Sequence, residues 1–460
     1  MVPLHGRRSE LQRLDAATLA AAGGDPQLTV VLGPRRVGKT FLLQHHLRAV
    51  TDAKTCYRAA TRLAPHDEIA VTWQALTDAI APLRDALPPQ RWSELFDAVV
   101  DASADEPIVF VLDEAPYLID GSPSFAAELQ RSWDRARHLG RPARLHLVLT
   151  GSALATISKL VSSQGALFER PNQMIRLDPF DLPTSATFLG TADGRATVEA
   201  YAATGGYPLL LGRWNIDEPA TENLIRLAGD PVGALATNAS TMLLDLPTEE
   251  PHMRVMTAVG RGATKYTEIA NHAGVRIDRH RFTLEQAGYL RPVRPIGDRR
   301  TPPHYELTDQ YLRFWFAMVE RDVQLIEAGQ GAAVIRAAMP RWNTLLGDTF
   351  ERQAREHLIR LVARGDLPDD MIVGRWWTHR PRQIEIDAVG LRRNSWALMA
   401  EAKWNDRFTR TDFNQLLRSR DALHQAAACD LALYAREAFA DDVVAATDRS
   451  LRFTADDLIH

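Results

Sequence analysis

A chain of 460 residues is about three times the length of a typical ~150-residue domain, and its 45% hydrophobic content is ordinary for a folded chain, so two or three domains are expected. The formal charge of -4, from 54 basic and 58 acidic residues, excludes a global electrostatic pull toward nucleic acid or membrane. Two cysteines, Cys56 and Cys429, exclude a disulfide framework or a Cys-based zinc site. With no apolar run near the ~20 residues of a membrane span and no signal-peptide pattern at the start, a cytoplasmic location without a membrane partner is expected.

Over residues 1–182, short apolar runs alternate with helical patterns, the signature of an α/β fold with a parallel sheet. Strands are predicted at 28–32, 55–58, 108–112, 145–150 and 173–177, each apolar enough to be buried on both faces. Between the first strand and the helix "FLLQHHL" stands Gly33-Pro34-Arg35-Arg36-Val37-Gly38-Lys39-Thr40, which fits GxxxxGK[ST]. In such a loop backbone N–H groups close on phosphate oxygens, Lys39 reaches the β and γ phosphates and Thr40 ligates Mg²⁺; Phe41, next along the helix, is counted with the nucleotide contacts. The strand "IVFVLDE" ends in Asp113 and Glu114, where Asp113 can hold the Mg²⁺ shell and Glu114 can orient or deprotonate the attacking water. ATP and Mg²⁺ are therefore the expected cofactors, and ATP and ADP the expected small-molecule partners.

Residues 183–248 turn helical, broken at Gly205 to Pro208, and suggest a lid subdomain. Residues 249–330 read as a winged helix with a connecting helix: two short helical segments, then "RHRFTLEQAGYL", then a Pro/Arg-rich hairpin. Between His252 and Arg300 stand ten basic residues, Arg254, Arg261, Lys265, Arg276, Arg279, Arg281, Arg291, Arg294, Arg299 and Arg300, against four acidic ones. "RIDRHR" is the expected recognition segment, with Arg276, Arg279 and Arg281 reaching outward to duplex DNA. A packing or switch role against the ATPase stays open for the same module.

Residues 331–460 read as helix, strand pair and mixed α/β. In "QIEIDAVGLRRNSWALMAEAKWND" Asp387 falls near the end of one strand, and Glu401 and Lys403, two apart on the next, share a face. Lysine occurs in the whole chain only at Lys39, Lys54, Lys159, Lys265 and Lys403, and two of the five fall inside motifs. Two carboxylates can hold Mg²⁺ while a lysine positions water and balances phosphate charge. A charged solvent face on an edge hairpin is the alternative. The tryptophans Trp376, Trp377, Trp396 and Trp404 are expected in the core.

The pieces "LHGRRSEL", "GPRRVGKT", "VFVLDE", "LVLTGS", "LFERPNQMIRLDPF" and "TGGYPLLL" resemble the archaeal-type ATPases of the STAND/AAA+ P-loop group. That resemblance implies an ATP-hydrolysing switch in which Gly6 and Arg7 lie beside the adenine, Ser152 is the polar sensor after the fourth strand, and Pro208 touches the base from the lid. It also puts Arg170 where relatives often keep an arginine finger, a helix cap or surface ion pair being the other reading; a homo-oligomer stays open. The order Asp387, Glu401, Ala402, Lys403 resembles the PD-(D/E)xK restriction-endonuclease-like family, with Ile386 in place of the leading proline. Glu351 would be the accessory acidic residue, and a metal set of Glu351, Asp387 and Glu401 is implied. Many companions of this type are inactive, so a signalling or scaffold ATPase whose nuclease-fold domain binds proteins is the rival reading.

Overall fold

The computed structural model describes residues 4–138, 142–152, 156, 160–163, 165–243, 250–298, 300–378, 383–423, 426, 428–446 and 450–460. The chain forms two compact units, Met1–Asp178 and Pro179–His460.

In the first unit the strands are β1 (Gln27–Leu32), β2 (Lys54–Ala59), β3 (Ile108–Asp113), β4 (Leu145–Gly151) and β5 (Gln173–Arg176). The helices are α1 (Arg8–Ala22), α2 (Lys39–Ala49), α3 (Pro65–Ala79), α4 (Trp92–Ala102), α5 (Ala115–Gly121) and α6 (Phe125–His138). The strands lie in the order β2-β3-β4-β1-β5, every neighbouring pair parallel. β1, β3 and β4 are buried at every position, so their sequences are unbroken apolar runs rather than alternating ones. The chain leaves β1 for the far edge and returns through β3 and β4 to β1, which sets the carboxyl ends of β1, β3 and β4 side by side. In open α/β sheets ligand crevices form at that kind of reversal.

A hydrogen-bonded polar chain runs through this unit, with His46, His146 and Thr29 buried and Asp15 at its exposed end. Asp15 Oδ1 meets His46 Nδ1 at 2.9 Å, His46 Nε2 meets Thr18 Oγ1 at 3.0 Å, Thr18 Oγ1 meets His146 Nδ1 at 2.8 Å, and His146 Nε2 meets Thr29 Oγ1 at 2.9 Å. It ties α1 and α2 to β4 and β1. Burial pushes the His146 imidazole down to about 3, so it stays neutral.

In the second unit, five short helices between Leu182 and Met242 precede α7 (Glu250–Gly260), α8 (Tyr266–Ala273) and α9 (Asp278–Gln286). The antiparallel hairpin β6 (Leu290–Val293) and β7 (His304–Leu307) follows, then α10 (Gln310–Met318). In "TGGYP", Cβ atoms on Gly205 and Gly206 would lie 2.6 Å from Tyr311 N and 2.1 Å from Phe180 O, so only glycine lets these segments touch. Beyond, α11 (Met339–Arg364) buries Trp342, Leu346, Phe350, Ala354 and Leu358 at helical spacing and ends at Gly365, which takes the left-handed conformation of a C-cap.

The closing sheet contains β8 (Met371–Thr378), β9 (Ile384–Arg392), β10 (Ser395–Lys403), β11 (Asp430–Ala435) and β12 (Leu451–Phe453), in the order β12-β11-β10-β9-β8. β8, β9 and β10 run antiparallel in turn, while β10, β11 and β12 are parallel. Arg393 and Asn394 take positive φ of 49° and 65°, the two-residue turn whose twist matches the β9–β10 hairpin. Of the tryptophans, Trp377 is buried, Trp376 and Trp396 pack edge to face at 5.1 Å, and Trp404 lies against Phe350 at 5.2 Å. Among the described residues no helix is long and apolar enough to cross a membrane.

Candidate functional site

The loop from Gly33 to Gly38 leaves β1 and enters α2. A Cβ on Gly33 would stand 2.4 Å from Leu177 O, and Gly38 has φ of 99°, so each glycine fits for a different reason: close approach for the first, left-handed backbone for the second. Arg36 also takes positive φ, 66°. Lys39 is buried, and its Nζ donates to the loop carbonyls of Gly33 at 2.8 Å and Pro34 at 3.0 Å. Thr40 and Phe41 stand exposed at the start of α2.

Asp113 ends β3 beside this loop. Its Oδ2 accepts the Thr40 hydroxyl at 2.7 Å and the Tyr57 hydroxyl, and its Oδ1 accepts the Glu114 N–H at 2.9 Å. Burial, then the bond to Asp113, raises the Tyr57 phenol above its ordinary range, so it stays a proton donor. Glu114 has φ of 54°, a left-handed conformation uncommon for a carboxylate residue, and its Oε2 accepts the Ser152 hydroxyl at 3.1 Å from the end of β4. The carboxyl ends of β1, β3 and β4 therefore bring Lys39, Thr40, Asp113, Glu114 and Ser152 together. The hard oxygens of Thr40 and Asp113 suit Mg²⁺, and a carboxylate held by a hydroxyl beside them can orient water.

The other predicted contacts divide. Gly6 has positive φ and is exposed. Arg7 is buried, its Nη2 donating to Asp178 O at 2.6 Å and to Val37 O at 3.4 Å, so it clasps the loop to the end of the unit. Arg35 donates to the Tyr117 hydroxyl at 2.9 Å. Pro208 belongs to the second unit, at the first turn of the helix Pro208–Leu211. Arg170 makes a bidentate ion pair with Asp134 of α6, both contacts 2.9 Å, which is the ion-pair reading of that residue.

In the second unit the structure corrects the outward placement of Arg281. It lies on α9 one turn before Glu285, pairs with it at 2.9 Å and lies over Tyr305 at 5.6 Å, so its guanidinium is engaged with these partners and only partly exposed rather than reaching freely outward. Arg276 and Arg279 are exposed, and Arg299 lies outside the described residues. Asp387 sits inside β9 rather than near its end, and its Oδ2 accepts the Ala402 N–H at 2.9 Å from β10. Lys403 Nζ pairs with Glu401 Oε1. Burial, and then the charge of Asp387, pushes the Glu351 carboxyl on α11 up to about 8 and the Glu401 carboxyl up to about 7. Burial raises Asp387 too, against the pull of Lys403. The four residues thus feel one another across α11, β9 and β10. No group of three or more His, Cys, Asp or Glu is arranged to hold a metal ion among the described residues.

Residues 315–416 match the family model described as archaea bacterial proteins of unknown function, DUF234. An uncharacterized protein of Methanocaldococcus jannaschii is 25% identical over 390 residues, 83% of each chain. A solved Walker-type ATPase of Pyrococcus abyssi superposes with a TM-score of 0.50 at 17% identity, over 68% of this chain and 96% of that one. Over that 68% the chain shares the fold of the Pyrococcus abyssi protein. The Aeropyrum pernix ORC2 protein, solved as ADPNP-ADP complexes, gives a TM-score of 0.45 at 13% identity over 74% of this chain and 96% of that one.

In this Walker-type fold, sequence reasoning missed Tyr57. A tyrosine on an edge strand is common and carries no motif. The parallel register that sets Ala59 opposite Asp113 is what brings the phenol, two residues back on the same face, to the carboxylate.

Proposed function

We propose that the chain is an ATP-dependent switch whose first unit binds and hydrolyses Mg²⁺-ATP. The observation that carries the reading is the contact of Thr40 with Asp113 at 2.7 Å, which joins the phosphate loop to the acidic end of β3, with Glu114 held by Ser152 next to it. Bound Mg²⁺ would be held by Thr40 and Asp113 and would neutralise phosphate charge. Lys39 exchanges its two loop carbonyls for β and γ phosphate oxygens, the N–H groups opening α2 take the phosphates, and Glu114 orients the attacking water. Gly6 and Arg7 are proposed for the adenine end. The Arg170–Asp134 pair supports a switch that works without an arginine supplied to a neighbouring subunit.

For the second unit we read 183–248 as lid, 249–330 as winged helix and connector, and 331–460 as a PD-(D/E)xK nuclease-like domain. Three helices followed by an antiparallel hairpin support the winged helix, and the exposure of Arg276 and Arg279 supports their contact with duplex DNA phosphates. The convergence of Asp387, Glu401 and Lys403 on adjacent strands supports the nuclease reading, and an inactive domain serving protein partners is its rival. The ATPase reading is tested by Glu114→Gln, which should keep ATP affinity within about twofold and lower phosphate release at least ~100-fold; undiminished hydrolysis would remove Glu114 from the mechanism.

A further inference from the structure

A cavity of about 370 Å³ opens in the second unit between α7, β7, α10, α11 and β8. Its lining is unusually cationic: Arg313, Arg321, Arg341, Arg352, Arg355 and Arg375 face it together with Arg261, against the carboxyl groups of Glu306, Asp348 and Glu351. The buried Glu306 carboxylate is oversubscribed. Oε2 takes Arg313 at 3.2 Å, Arg291 at 3.3 Å and Arg352 at 3.4 Å, while Oε1 takes Arg375 at 3.4 Å. Arg375 also pairs with Glu385 and Arg291 is half exposed, so the incompletely matched buried charge falls on Arg313 and Arg352, which share the one Glu306 carboxylate. Burial drives the Arg313 guanidinium down to about 10.

Two other arginines of the wall have partners outside it: Arg261 pairs with Glu320 at 2.7 Å and Arg341 with Asp322 at 2.7 Å. Seven arginines in the wall against three carboxylate residues gather guanidinium groups that suit an acceptor with several oxygens and negative charge. Phosphate meets both demands, and guanidinium forks match its geometry. A wall that also contains Val259, Leu307, Phe316 and Leu345 gives the cavity an apolar side, and its volume is that of a small-ligand site.

We infer that this cavity is a binding site for a phosphate-bearing ligand, distinct from the phosphate loop of the first unit. Its phosphate accepts from Arg341, Arg352 and Arg375, and the exposed Arg321 gathers the anion at the mouth. Free polyphosphate-type anions and the phosphorylated end of a nucleic-acid strand present the same chemistry.

The test uses the full chain carrying Lys39→Ala, so that binding at the phosphate loop does not contribute. Inorganic pyrophosphate titrated calorimetrically in low-chloride buffer should bind with one-to-one stoichiometry. Adding Arg321→Ala or Arg352→Ala should weaken it at least tenfold, Arg352→Lys should recover part of the loss, and the exposed control Arg195→Ala should leave it within twofold. Circular dichroism melts establish that each variant is folded, and Arg321→Ala, at an exposed position, keeps the test open should Arg352→Ala not fold. Competition by a 5′-phosphorylated oligonucleotide, but not by its unphosphorylated twin, would assign the phosphate to a strand end; its absence would assign it to a small ligand. Absence of pyrophosphate binding, or binding that ignores Arg321 and Arg352, overturns the inference.

Discussion

Replacing His146 with glutamine tests the polar chain that anchors the phosphate-loop helix. In the folded state His146 bridges Thr18 and Thr29 as a neutral ring, with its pKa near 3 against 6.5 for a free imidazole. A lowered folded pKa means that the unfolded chain binds the extra proton first, so the histidine's contribution is complete above about 6.5 and is lost as pH falls toward 3. One pKa unit is about 1.36 kcal/mol, so between pH 7.5 and pH 5 this group alone should remove about 2 kcal/mol of stability, and by pH 4 about 3 kcal/mol. His46, also lowered by burial, adds in the same direction. In His146→Gln the neutral-pH stability should fall by about 1–3 kcal/mol for the buried hydrogen bonds disturbed, yet the loss from pH 7.5 to pH 5 should shrink by about 2 kcal/mol. Hydrogen exchange of peptides from β1 and β4, corrected for intrinsic rates, reads this in the first unit alone. Equal acid sensitivity in wild type and variant would refute the buried neutral histidine.

Tyr57→Phe should raise the Mg²⁺ concentration needed for half-maximal ATP hydrolysis by about three- to tenfold, because the hydroxyl that aims Asp113 is lost, a charged hydrogen bond of about 1.5–3 kcal/mol shared with Thr40; an unchanged Mg²⁺ dependence would make the tyrosine structural only. On the proposed nuclease reading of the second unit, Lys403→Arg should abolish most Mn²⁺-dependent cleavage of DNA or RNA while phosphate release continues, since a guanidinium cannot take the ammonium's place beside Glu401. Absence of any cleavage by wild type, with or without ATP, would favour the protein-binding role of that domain.

How much was legible from residues alone depended on whether each signal was local. β1, β3 and β4 are buried on both faces and read as continuous apolar runs, and the loop after β1 declares itself through Gly33, Gly38 and Lys39. Thr40 and Asp113, each expected at the magnesium ion, lie 2.7 Å apart. Arg281 was misplaced because its partners, Glu285 and Tyr305, could be weighed only with the hairpin folded against α9. The Arg170–Asp134 pair joins residues 36 apart in sequence, and spacing alone left it one of two readings. The arginines converging on Glu306 come from β6, α10, α11 and β8, so no window of sequence contains them. Asp387 was assigned to the right strand, but its depth within β9, and with it the burial that raises its carboxyl, depended on the sheet formed by β8 and β10 on either side.

Whether the Gly33–Thr40 loop holds ATP is measured directly by calorimetric titration of Mg²⁺-ATP into wild type and Lys39→Ala. Lys39 is buried among loop carbonyls and poised to exchange them for phosphate oxygens. Its loss should therefore cost about 2–3 kcal/mol of binding, roughly 30- to 150-fold in Kd, with the melting profile of the apo protein nearly unchanged. Binding of equal strength in the two proteins would contradict the account.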